Sequence, residues 1–141
     1  MKAEAVVRMV ALASVVLVVS GCAPPGENLT ASGRVSVETV PAERVRVVWA
    51  EVWQNGEETL ITGRLVGRGT YSRPLLGHVD VTFLDPQRKV LKKASSKKVY
   101  IRRTSPGKGP HLTPFEVHVK FAPPKNTRVV IACEDGVHER P

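Results

Sequence analysis

The sequence predicts an all-β domain of two packed antiparallel sheets, and three observations carry that prediction. Apolar residues recur with a period of two, most plainly where Phe115, Val117, Val119 and Phe121 alternate with Glu116, His118 and Lys120. Turn-forming clusters separate the alternating runs at short intervals. Valine is abundant while aromatics make up only 5% of the 141 residues, and β-branched side chains suit a pleated surface better than a helix.

The elements follow in chain order. Val35, Val37 and Thr39 alternate with Ser36 and Glu38, giving the first strand from Gly33 onward. Val45 to Trp53 is almost continuously apolar, as expected of a strand covered on both faces. Asn55-Gly56 then marks a tight hairpin, because primed turns need positive φ, and Thr59 to Val66 pairs back. Gly63, Gly67 and Gly69, interleaved with Arg64, Arg68 and Arg73, read as a bulge and turn at the end of that strand. Leu75 to Leu84 sets Val79, Val81 and Phe83 against His78, Asp80 and Thr82. Asp85-Pro86-Gln87-Arg88 forms a type I turn, with proline presetting φ at the second position. Val90 to Arg102 returns, with a break near Ala94-Ser95-Ser96, and Thr104 to Thr113 is a Pro/Gly-rich loop. Pro114 to Phe121 and Arg128 to Cys133 are the last two strands, joined by Pro123-Pro124-Lys125-Asn126. About seven short strands point to an immunoglobulin-like antiparallel β-sandwich over residues 33–134, with a small β-barrel as the alternative.

Composition excludes several classes. Hydrophobic residues at 42% and charged residues at 24% are a globular balance, not that of a disordered chain. Two cysteines cannot build a disulfide framework or a four-cysteine zinc site. There is no G-x-S-x-G, no H-E-x-x-H and no phosphate loop, so the chain reads as non-catalytic and without a cofactor.

The N-terminus carries an address. Lys2 and Arg8 precede an apolar stretch, Met9 to Val19, that is too short to span a membrane and suits the core of a signal peptide. Val19-Ser20-Gly21-Cys22 then resembles the lipobox of bacterial lipoproteins, with small residues ahead of the cysteine that is acylated. The resemblance implies a signal peptide over 1–21 and a lipid anchor on Cys22. It also implies residence in the cell envelope, on the outer membrane facing the periplasm, since Ala23 rather than Asp follows the cysteine. Residues 22–32 then serve as a flexible tether, and 135–141 as a polar tail. Cleavage before Cys22 takes away Lys2, Arg8 and Glu4, so the formal charge of +8 falls only to +7. A second stretch, His78 to Asp85 with the following turn and Val90-Leu91, is similar to the central hairpin of immunoglobulin-like domains in bacterial envelope lipoproteins. It lacks the Tyr of the F-x-L-Y-D pattern for which some of these are named. Members of such families are accessory envelope proteins, which implies a binding or scaffolding role.

The basic residues cluster. Arg88, Lys89, Lys92, Lys93, Lys97, Lys98, Arg102, Arg103 and Lys108 occupy one arm and its loop, with no acid between Asp85 and Glu116. On one strand, Lys92, Lys98 and Arg102 would share a face. Such a face attracts polyanions, whereas lysines on an edge strand also block sheet-to-sheet association. No aromatics interleave with these charges to stack on bases, so lipopolysaccharide phosphates, peptidoglycan carboxylates or an envelope protein are the partners to consider, and nucleic acid is not. An exposed strand docking by β-augmentation, its charges merely solvated, is the alternative.

Three further groups stand out. His78, Asp80 and His118 form an open metal site if their strands are neighbours, though nothing in their spacing demands a metal. Cys133 continues the apolar row of Val129 and Ile131 and reads as a buried thiol. Trp49 and Trp53, four apart, share a strand face, either packed between the sheets or exposed as an aromatic platform. The lipobox reading yields a direct test. Cys22→Ser should abolish acylation, so that intact mass loses the lipid increment and the protein leaves the detergent phase on partitioning; retention in that phase would contradict it.

Overall fold

The computed structural model describes residues 26–68, 75–102 and 107–135. Among them it has nine strands and no helix: β1 (Glu27–Asn28), β2 (Val35–Val40), β3 (Val45–Asn55), β4 (Glu58–Gly67), β5 (Leu75–Leu84), β6 (Val90–Ser95), β7 (Val99–Ile101), β8 (Thr113–Val119) and β9 (Thr127–Asp135). All but the short β1 fall within strands expected from the sequence, β6 and β7 being the two parts of the broken Val90–Arg102 run, and β9 extends to Asp135, a residue expected in the tail. They form two sheets, ordered β1-β3-β4-β8 and β2-β9-β5-β6, with β7 following β6 along the same side of β5. The result is an open β-sandwich. Every pairing is antiparallel except β2 with β9, which run parallel from Val35↔Thr127 to Val40↔Ala132.

Period-two alternation builds the core directly. Ile61, Leu65, Phe115 and Val117 from the first sheet meet Val79, Val81, Phe83, Val129 and Ile131 from the second, all essentially buried. Each such side chain contributes about 1.5–3 kcal/mol of hydrophobic stabilisation. The Phe83 and Phe121 rings meet edge to face, with centroids 5.1 Å apart. Cys133 is buried in the same row, as its spacing from Ile131 predicts.

Four local findings correct the sequence reading. First, part of the expected tether belongs to the fold. Glu27 and Asn28 pair with Gln54 and Trp53, Leu29 is fully buried, and Thr30 Oγ1 accepts from the Val52 amide at 2.9 Å. One apolar residue in a polar stretch was enough to anchor it, and residues 22–25 lie outside the described part. Second, β3 is not covered on both faces. A bulge between Val47 and Trp49 shifts the alternation, so Val45 and Val47 point inward before it and Val52 after it. Both tryptophans are thereby turned to the outer face, Trp49 being 43% exposed. Third, the β3–β4 loop is Gly56-Glu57, one residue later than the Asn-Gly pair implies, with only Gly56 at positive φ (61°). That is the type II′ pattern, which needs glycine at the first central position. Fourth, the type I turn at Asp85 carries an added residue. Arg88 donates its amide to the Asp85 carbonyl at 2.9 Å, and Asp85 Oδ1 accepts from the amides of Gln87 and Lys89. Arg88 itself sits at φ 65°, in the left-handed region.

Gly63, in the middle of β4, has no room for a side chain between its neighbours on β3 and β8. A Cβ there would lie 2.4 Å from the Trp49 carbonyl oxygen and 2.6 Å from the Phe115 ring. Gly63→Ala should therefore destabilise the fold by the ~1–3 kcal/mol typical of overpacking. A chemical-denaturation midpoint unchanged from the parent would contradict that packing.

Candidate functional site

The basic arm is an edge. β6 pairs with β5 on one side only, and nearly all of its residues are exposed. Lys92 stands opposite Phe83, in the inward-facing row at the rim of the sheet, while Lys93 stands opposite Thr82 on the outer face. Arg88 and Lys89 lie in the turn that precedes the strand, and both are exposed. A charge leaning inward on an edge strand defeats pairing with another chain.

Beyond Ser95 the arm does not continue as one strand. The Val79 amide donates to Ser96 Oγ at 2.9 Å and the Ser96 amide to the Val79 carbonyl at 2.8 Å, so this serine ends the β6 ladder through its own side chain. Lys97 and Lys98 are then carried out of the sheet before β7 rejoins β5 at Val99↔Gly77. The break foreseen near Ala94 to Ser96 thus falls at 96–98. It also separates Lys92 from Lys98 and Arg102, which do not share one continuous strand face. Lys108 is exposed in the loop before β8, and Arg103 lies outside the described residues.

The β6–β7 link faces β8, the edge of the other sheet, and the two edges leave a cleft of about 570 Å³ along the side of the sandwich. Lys97, Lys98, Tyr100, Thr113, Glu116 and His118 line it. Tyr100 is 68% exposed, the most open of the large hydrophobic side chains among the described residues. His118 Nε2 lies 3.4 Å from Glu116 Oε2. Thr113 is buried and its hydroxyl has no hydrogen-bond partner among the described residues, an arrangement that costs about 1–3 kcal/mol unless a ligand or water supplies one.

The outer face of the first sheet forms a second surface. Cross-strand rows there set Trp49 beside Arg64 and Trp53 beside Leu60 and His118. The Arg64 guanidinium lies 5.5 Å from the Trp49 ring centroid, a cation–π contact. Both tryptophans therefore lie on the outer face and not in the core, Trp49 exposed and Trp53 half-buried. Arg73 and Gly69, the outer part of the Gly/Arg stretch, fall outside the described residues.

The histidines do not gather as the sequence allowed. His78 and Asp80 are on β5 in one sheet and His118 is on β8 in the other, so the three cannot share an ion. Strand order decides this, and alternation alone does not supply strand order. Glu134, on β9, takes the place expected of His118 beside His78. His111 is exposed, and His138 lies outside the described residues.

No family model, curated protein or solved structure matches the chain.

Proposed function

We propose that this chain is a lipid-anchored envelope protein of the bacterial lipoprotein type, acting without catalysis as a binding module for anionic envelope components. The observation that carries the reading is the concentration of Lys92, Lys93, Lys97 and Lys98 on one open side of the sandwich, in a stretch without acids from 86 to 115. Acylated Cys22 would hold the domain at the membrane, and the residues up to the start of β1 would set its reach.

Two features favour a working face over simple edge defence. Lys97 and Lys98 stand off the strand, where they protect no ladder hydrogen bonds. They also border a cleft whose wall holds the buried Thr113, its hydroxyl without a partner among the described residues. Phosphates of lipopolysaccharide and carboxylates of peptidoglycan supply the charge and the acceptors for such a cleft.

A second reading rests on β3. It pairs with β1 only at Trp53 and Gln54, and its other half exposes Val48 and Trp49 on an edge that is open among the described residues. An extended partner segment would add there by β-augmentation, largely through backbone hydrogen bonds.

Salt separates the two. The purified protein should co-sediment with lipopolysaccharide-containing vesicles or with peptidoglycan at low salt and be released as salt rises. Changing Lys92, Lys93, Lys97 and Lys98 to Ser should weaken retention about tenfold or more, since each tenfold step needs only 1.4 kcal/mol. Absence of binding at low salt would remove the basic arm as a working face and leave the β3 edge as the site to test.

A further inference from the structure

Apart from the basic arm, the outer face of the second sheet brings together three metal-ligating side chains. His78 and Asp80 are two apart on β5, and their side chains leave the same face of the sheet. Glu134 on β9 stands directly opposite His78 in the antiparallel ladder. His78 Nε2 lies 3.3 Å from Asp80 Oδ2 and 3.7 Å from Glu134 Oε2, and the three ligand atoms all fall within 4.8 Å of one another.

We propose that His78, Asp80 and Glu134 form an open binding site for a first-row divalent cation, with Zn²⁺ the best match. The spacing suits such an ion. Zn–N and Zn–O bonds of about 2.0–2.1 Å in a tetrahedron place ligand atoms about 3.3 Å apart, so the His78–Asp80 separation already matches and the His78–Glu134 separation needs only a small closure. The donor set suits it too, because an imidazole nitrogen favours zinc and its neighbours over calcium or magnesium, and two carboxylates neutralise the charge.

The surroundings are arranged for it. Ser95 Oγ donates to Asp80 Oδ1 at 2.5 Å, which orients the carboxylate and directs its other oxygen, Oδ2, toward His78. The residue opposite Asp80 on β9 is Ala132, whose methyl leaves room between the three ligands. His78 and Asp80 side chains are 29% and 33% exposed and Glu134 is 55% exposed, so the fourth position would be open to water or to a ligand atom from a partner. The ion would also cross-link β5 to β9.

The test uses the full chain, first stripped with chelator and then titrated with Zn²⁺ by calorimetry and with Co²⁺ by visible absorption. One ion per chain is expected, with a cobalt spectrum of nitrogen and oxygen ligation. His78→Ala and, separately, Glu134→Gln should each weaken binding at least tenfold. His118→Ala should bind as the parent does. Zn²⁺ should raise the melting temperature of the parent and not of His78→Ala, while both variants keep the parental circular dichroism. Were one variant to misfold, the other keeps the test valid. No stoichiometric binding, binding unchanged in the folded variants, or a thiolate charge-transfer band placing the metal on cysteine would each overturn the assignment.

Discussion

An open sandwich hides the inner faces of its sheets but leaves each sheet with unpaired edges, and that constraint shapes most of what is distinctive in this molecule. Exposed ladder groups recruit other strands unless something prevents it. On β6 the answer is lysine, one leaning inward opposite Phe83 and the next outward. On β8 it is a proline at the second position, followed by charged and polar residues on the outer face. On β2, Glu38 pairs with Arg128 of the neighbouring β9 at 3.6 Å, a surface contact worth about 0–1 kcal/mol that also occupies the outer face. β3 is covered only where Glu27 to Thr30 fold over its end. The charge pattern of the chain is thus first a consequence of the architecture, and any binding role is built on a side that had to be charged in any case.

That overlap explains why the link between β6 and β7 matters more than the strand. Lysines within the ladder have a structural reason to be there. Lys97 and Lys98 do not, because Ser96 has already closed the ladder against Val79 with its own hydroxyl and amide. They project beside a cleft formed where the edge of one sheet meets the edge of the other, and no single strand could produce it.

Much of the fold was legible in the sequence because period-two alternation is a local property, and β4, β5, β8 and β9 follow it through most of their length. What was not legible depended on one-residue events or on strand order. The bulge after Val47 reverses the parity of everything downstream in β3, and so sends Trp49 and Trp53 outward although their spacing only said that they share a face. Leu29 carried no pattern to distinguish a core anchor from a tether residue, yet it is fully buried. In the second sheet, His78 and Asp80 were recognisable as neighbours on a strand. Their third partner is Glu134, because β9 rather than β8 lies beside β5. The alternation of Cys133 inward and Glu134 outward was the available signal, but it gains meaning only once β9 is known to pair with β5.

The most direct test of the central claim separates the two roles of the basic side. Polyanion retention and self-association should be measured in parallel for Lys92→Ser/Lys93→Ser, which alters the strand, and for Lys97→Ser/Lys98→Ser, which alters the link. The account predicts that the link variant loses most of its retention on anionic vesicles while staying monomeric to the same extent as the parent, and that the strand variant self-associates more readily. Full retention by the link variant, with self-association by the strand variant as the only effect, would show that these charges defend an edge and bind nothing.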